Sequence, residues 1–324
     1  MKKFALLWSV VFGLWSLSGC GTNSVTSSDT GGKISGSFTG CAVGAYVGGM
    51  GNIDAFETKI GKNLAVVLWY VHWQDAFPLT DANTVRANGS IPLITWEPWV
   101  TPESGTTLEA IIAGTYDSYV RSFIQSAKDW GHPMFLRFAH EMNGNWYPWD
   151  GQHNGQASGP ARYKSAWIYI YNVIQEVGAK NITLVWCPNN TNLPADSWNS
   201  IEAYYPGDAY VDWVGMDGYN WGYDNAGNDQ WQSFTAVFGD VYSRLIALTT
   251  KPIMIGEFSS AEQNGNKAAW ILDACSTIKN NYSRVKLFCW FNTNKERDWR
   301  IESSASAEAA MKNSLQDAYF LGRM

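Results

Sequence analysis

Eight short apolar runs, separated by helix-like stretches, limit what this chain can fold into. They are CAVGAYV (41–47), LAVVLWYV (64–71), IPLITWE (91–97), MFLRFAH (134–140), ITLVWCP (182–188), VDWVGMDGY (211–219), PIMIGEF (252–258) and VKLFCWF (285–291). Each is too short for a core helix and apolar on successive residues, as expected of a strand covered on both faces. Helical patterns fill the gaps at 51–60, 106–130, 160–178, 231–249, 263–280 and 304–320, with weaker ones near 80–88 and 196–205. Gly131 and Gly178 stand where a helix end favours glycine. Eight strand–helix repeats in about 285 residues predict a (β/α)8 TIM barrel, a single catalytic domain over 40–324. A doubly wound sheet fits less well, because the first run is not followed by GxGxxG.

A barrel of this kind carries its site at the C-terminal ends of its strands. Polar and aromatic residues gather there in the sequence: His72 and Trp73 after the second run, Glu97 and Trp99 at the third, and His140 and Glu141 at the fourth. Asn189 and Asn190 follow the fifth, Asp217, Tyr219 and Trp221 end the sixth, Glu257 ends the seventh, and Trp290 and Asn292 end the eighth. The opposite ends show no comparable set.

The aromatic content, 18 Trp, 16 Tyr and 14 Phe, matters for its company. WYVHW, WEPW, NWYPWD and GYNWGY mix indoles with acids, amides and histidine. Such mixtures suit a ligand with apolar faces and hydroxyl edges, which describes a sugar ring. The net charge is −6 and the basic residues are scattered, so nucleic acid is not an expected partner. The four histidines lack a zinc spacing, and nothing calls for a metal or another cofactor. The chain is expected to act as a monomer.

The first residues read as an export signal. Lys2 and Lys3 precede an apolar run from Phe4 to Leu17, too short for a membrane span, and Leu17-Ser18-Gly19-Cys20 follows. This ending resembles a bacterial lipobox. The resemblance implies removal of residues 1–19, lipidation of Cys20 and anchoring at the periplasmic face or cell surface. An ordinary signal peptide is the alternative. Residues 20–39, rich in Gly, Ser and Thr, read as a flexible tether. Cys41, Cys187, Cys275 and Cys289 are widely spaced and are expected to be mostly free, buried thiols.

Two carboxylates, Glu141 and Glu257, follow apolar strand residues on different strands of one barrel mouth. A buried carboxylate needs a partner or a purpose. As a pair, they suit acid–base work on a glycosidic bond. The indoles near Glu141 favour a protonated acid there. Tyr219 is placed to donate to Glu257, and Trp290 is expected as the floor of the cleavage subsite.

RFAHEMNGNWYPW, DWVGMDGYNW, PIMIGEFSS and LFCWFN together resemble glycoside hydrolase family 26. The resemblance implies a retaining barrel enzyme, most often an endo-β-1,4-mannanase, otherwise a mixed-linkage β-glucanase or β-1,3-xylanase. It implies Glu141 as acid/base and Glu257 as nucleophile. His72, Trp146, Tyr219 and Trp290 match positions that line the central subsite, and His140 is expected to contact the sugar or orient Glu141. Trp99, Asp217 and Trp221 are candidates for a distal subsite, and Arg137 for support of the carboxylates. Tyr147-Pro148 departs from the mannanase wording toward glucanase-like members. A glycan-binding lipoprotein without turnover is the reading from another functional class.

Overall fold

The computed structural model describes residues 31–100, 105–223 and 229–324. The export signal and Cys20 lie outside them. Eight parallel strands close on themselves: β1 (Cys41–Tyr46), β2 (Val66–His72), β3 (Ile91–Glu97), β4 (Met134–Phe138), β5 (Ile182–Trp186), β6 (Trp213–Asn220), β7 (Ile253–Ser260) and β8 (Val285–Phe291). Neighbours in sequence pair in order, and β1 joins β8 to β2, so the sheet is the expected (β/α)8 barrel. A short ninth strand, β9 (Phe320–Leu321), pairs with the start of β1.

The helices between the strands are α1 (Ile53–Ile60), α2 (Leu79–Ala87), α3 (Thr107–Ile112), α4 (Asp117–Trp130), α5 (Gly159–Val177), α6 (Ile201–Tyr204), α7 (Phe234–Leu248), α8 (Lys267–Asn280) and α9 (Ala305–Ser314). The single helix expected over 106–130 is two. Thr106 opens α3 with a reciprocal capping box to Glu109, and Gly114, in the left-handed region, breaks the path before α4.

Two apolar layers result from the two-residue period of the strands. Inward residues such as Val66, Leu68, Leu93, Phe135, Val185, Met254 and Leu287 fill the lower barrel. Outward residues such as Val67, Ile94, Leu136, Leu184, Ile255 and Phe288 pack against the helices. The lower barrel is closed by a segment expected to be tether. Ile34 and Phe38 pack against the inward layer. Trp213 Nε1 donates to the Ile34 carbonyl at 3.0 Å, the Ile34 amide donates to Thr183 Oγ1 at 2.8 Å, and Lys33 pairs with Asp212 at 2.7 Å. Lys33, Ile34 and Phe38 of the expected tether are therefore docked on the barrel. Two apolar residues four apart in a Gly/Ser background were too weak a pattern to show docking.

The four described cysteines are buried and free, as expected. No described helix is long and apolar enough to cross a membrane.

Candidate active site

Strand parity and two local breaks in it build the site. On β7, Met254 points inward and Ile255 outward, so Gly256 falls on the inward side and Glu257 would face the helices. A bulge prevents this. The register to β6 slips so that Met216 pairs with Ile255 but Asp217 pairs with Glu257. The extra residue, Gly256, turns Glu257 into the barrel and leaves Phe258 in the outer layer. Only glycine fits there: a Cβ on Gly256 would lie 2.5 Å from Asp217 Oδ1 and 2.7 Å from Arg137 Nη1.

The second break follows β4, which ends at Phe138, two residues before the expected end. Ala139 and Glu141 adopt positive φ of 45° and 52°, sparse conformations for residues with a side chain. The Glu141 amide is tied to the Cys187 carbonyl at 2.8 Å, and the His140 carbonyl accepts from Trp149 Nε1 at 2.7 Å. Those bonds hold the kink that carries His140 and Glu141 to the mouth.

Arg137, inward on β4, lies beneath both carboxylate strands. Its Nη1 bonds Asp217 at 2.7 and 2.9 Å, its Nη2 bonds Glu257, and Thr95 Oγ1 takes the remaining edge at 2.8–2.9 Å. Tyr219 Oη donates to the other Glu257 oxygen at 2.5 Å. Burial alone would push Glu257 toward its neutral form. The Arg137 guanidinium and hydrogen bonds from Tyr219 and Tyr70 outweigh it and hold the carboxyl below the usual range.

Glu141 is in the reverse situation. Burial pushes its pKa well above the ordinary value, and the charges of Asp217 and Glu257 add to this. Its described side-chain hydrogen bond comes from Trp146 Nε1, at 2.9 Å, which pulls weakly the other way. Within a single cleft, the surroundings thus favour the ionised form of Glu257 and the protonated form of Glu141.

His140 is buried, with Nε2 3.2 Å from Tyr147 Oη and 3.8 Å from Glu257 Oε1. Burial, and then the charge of Arg137, push its pKa down to about 3, so the ring is neutral under ordinary conditions. His140, Asp217 and Glu257 form the one described group with metal-ligand spacing, their ligand atoms within 4.8 Å of one another. Arg137 pairs with both carboxylates, which lowers the pKa of Glu257, while burial, together with the charge of Glu257, still raises that of Asp217 to about 7.

The expected residues fall into three sets. Glu141, Glu257, His140, Trp146 and Tyr219 come together as described. His72, Trp99 and Trp221 stand on the rim. His72 Nε2 meets Glu97 Oε2 at 3.2 Å, Trp99 packs edge-to-face on Tyr147 and Trp149, and Trp221 packs on Trp299. Trp290 and Asp217 do not reach the cleft. Trp290 is 1% exposed and packs outward against Phe258 and Trp270. The side-chain period of two gives its expected place to Phe291, which lies with Tyr46, Tyr70, Tyr219 and Trp299 at the mouth. Asp217 is 0% exposed beneath Glu257 and holds Arg137, so it cannot form a subsite.

Tyr70, Phe291 and Trp299 were not singled out from sequence. Parity offered the first two: an inward His72 implies an inward Tyr70, and an inward Cys289 implies an inward Phe291. Trp299 belongs to a loop and had no such signal.

The model of glycosyl hydrolase family 26 matches residues 99–301. The chain belongs to that family. Endoglucanase H of Acetivibrio thermocellus is 39% identical over 284 residues, 86% of this chain but 30% of that protein. A mannan endo-1,4-beta-mannosidase of Bacillus subtilis is 26% identical over 214 residues, 65% of this chain and 50% of the relative. The chain thus spans between about a third and a half of these relatives' lengths. Among solved structures, a Bacillus subtilis mannanase superposes with a TM-score of 0.64 at 19% identity, covering 88% of this chain and 87% of that one. A modular endo-beta-1,4-mannanase of Cellulomonas fimi gives 0.64 at 17%, over 87% and 72%. At such identities the likeness concerns the fold.

Proposed function

We propose that this family 26 chain is a retaining endo-β-glycanase that cleaves internal β-1,4 bonds by double displacement. The observation that carries this reading is a pair of buried carboxyls at one barrel mouth with opposite partners, Glu257 on the Arg137 guanidinium and the Tyr219 hydroxyl, Glu141 on a single indole N–H. Glu257, ionised, attacks the anomeric carbon and forms a glycosyl ester while Glu141 protonates the departing oxygen. Glu141, now a carboxylate, takes a proton from water, whose oxygen attacks the same carbon and releases Glu257. Arg137, Tyr219 and Tyr70 stabilise the charge on Glu257 before attack and after release. Trp146 orients Glu141, and His140 braces the nucleophile from beside it.

The substrate of first choice is β-mannan or glucomannan, in keeping with the mannanase relatives and fold neighbours. Two observations favour a second reading, a β-glucan. The longer and higher match is to an endoglucanase. Tyr147, where mannanases commonly carry Phe, uses its hydroxyl to engage His140. Reducing ends released from glucomannan, galactomannan, lichenan, carboxymethylcellulose and β-1,3-xylan separate these readings. Galactomannan supports the first and lichenan the second. Release from none of the five contradicts the glycanase assignment.

Export and lipidation at Cys20 complete the proposal. They are supported by the sequence around Cys20 and by the entry of the chain at the barrel bottom, through Ile34. Fatty-acid labelling of the wild type, lost in Cys20→Ser, is the expected result.

A further inference from the structure

A buried cation outside the cleft takes no part in the displacement. Lys267 is the first residue of α8 and is 0% exposed. Two forces oppose its charge there. An ammonium taken out of water loses its hydration, and the N-terminal end of a helix disfavours a cation. Its described hydrogen-bond partners are all neutral: the carbonyls of Asp298 at 3.1 Å and Arg300 at 2.6 Å, and Ser303 Oγ at 3.0 Å. They match the three donors of an ammonium, which a neutral amine cannot supply. Burial lowers the pKa of Lys267 to about 8 against the charges of Glu262, Asp298 and Glu302, so the ammonium persists at neutral pH and below.

All three acceptors belong to the loop between β8 and α9, and two of them flank Trp299. The Trp299 carbonyl is held as well, by Ser259 Oγ of β7 at 2.7 Å and by Trp290 Nε1 of β8 at 3.1 Å. Three successive carbonyls are thus fixed by donors from three elements. What they fix is an indole. Trp299 is 1% exposed, and its ring lies 4.9 Å from that of Tyr219 and 5.1 Å from that of Trp221. Tyr219 is the phenol that donates to Glu257. A ring packed this closely limits where the phenol can turn, and a short hydrogen bond needs it in one place.

We propose that Lys267 is a positioning residue for the nucleophile: its ammonium pins the Trp299 loop, the Trp299 ring holds Tyr219, and Tyr219 thereby keeps its hydrogen bond to Glu257. The inference deepens the glycanase reading and rests on it.

Lys267→Met removes the charge at nearly constant volume. Its acid limb in kcat/KM should move to higher pH, as in Tyr219→Phe, because ionised Glu257 loses a well-placed donor. Arg137, His140, Tyr70, Asp217, Glu141 and Lys295, which also act on Glu257, stay in place. At the optimum, kcat/KM should fall about 3- to 10-fold, through kcat, and by no more than in Tyr219→Phe. Lys267→Gln, which keeps two donors, should lie between Lys267→Met and wild type. Added to Tyr219→Phe, Lys267→Met should move the limb no further, since the phenol it positions is already gone. Lower activity with an unmoved acid limb, or shifts that add in the double variant, would leave Lys267 a loop staple and overturn the inference. Should Lys267→Met fail to fold, the same criteria apply to Ser259→Ala, which removes one bond from the Trp299 carbonyl and uncovers no charge.

A second arm needs no turnover. The Glu257 carboxyl is titrated by carbon NMR in protein labelled at glutamate, its signal identified by its absence in Glu257→Gln. Its pKa should rise in Lys267→Met and, less, in Ser259→Ala. An unchanged pKa overturns the inference whatever the substrate. A raised pKa in these variants, with a wild type that cleaves no glycan, would sink the glycanase reading and leave the hold on Tyr219 standing.

Discussion

Glu257 and Glu141 sit in one cleft, both buried, and their surroundings push them apart. Glu257 rests on a guanidinium and takes hydrogen bonds from two phenols. Glu141 has one indole N–H and two negative neighbours. Burial is thus common to both, and what differs is whether a cation and donors accompany it. In the proposed mechanism that difference assigns the work, because a nucleophile must be ionised and a general acid protonated at the same pH. The pH dependence follows. Activity should fall on the acid side as Glu257 takes up a proton, and on the alkaline side as Glu141 loses one. The depressed pKa of Glu257 and the raised pKa of Glu141 set a broad plateau between these limbs.

Removing a carboxylate is the harshest break in the comparison. Glu257→Ala should lower kcat by about 10⁴-fold or more on every substrate, since no leaving group compensates for a missing nucleophile. Glu141→Ala should cost about 10²- to 10⁴-fold on polysaccharide, but far less in forming the glycosyl-enzyme from an aryl glycoside with a good leaving group. Azide should restore its turnover by attacking the intermediate without a base. Equal losses on both substrate types would remove Glu141 from the acid role.

Milder substitutions sharpen the contrast by moving one side of it. Tyr219→Phe deletes a donor to ionised Glu257, so the pKa of Glu257 rises and the acid limb moves to higher pH. A loss of about 10-fold or somewhat more in kcat/KM is expected, the worth of one hydrogen bond to a charged group. Trp146→Phe deletes the donor to Glu141. Because that bond pulls the pKa of Glu141 down, its loss should move the alkaline limb upward, with only a several-fold change at the optimum. An alkaline limb unmoved in Trp146→Phe, or an acid limb that shifts instead, would contradict the separate control of the two groups.

Much of the architecture was legible in the chain. The runs that became β1 to β8 were readable because strands buried on both faces must be apolar throughout. Glu141 and Glu257 stood out because an acid at the end of such a run is expensive. The side that each residue faces was harder to read. Continuous apolar strands hide their parity, which is why Trp290 was expected where Phe291 stands. The bulge at Gly256 and the positive φ at Ala139 and Glu141 are backbone events with little trace in residue type. Asp217 showed its charge in the sequence but not its depth, since the cation that makes it a support comes from β4, 80 residues earlier. Arg137 was readable as a support, because a lone cation inside an apolar strand needs carboxylates nearby, and it meets Asp217 and Glu257.

The central claim is that Glu257 forms a covalent bond to the sugar. It is tested most directly by trapping that bond. The protein is incubated with an activated 2-deoxy-2-fluoro glycoside of its preferred sugar, digested, and its peptides weighed. The account predicts one added glycosyl group, on the peptide containing Glu257, and none in Glu257→Ala. A label on Glu141, or an active wild-type enzyme that turns over the trap without ever carrying a label, would contradict it.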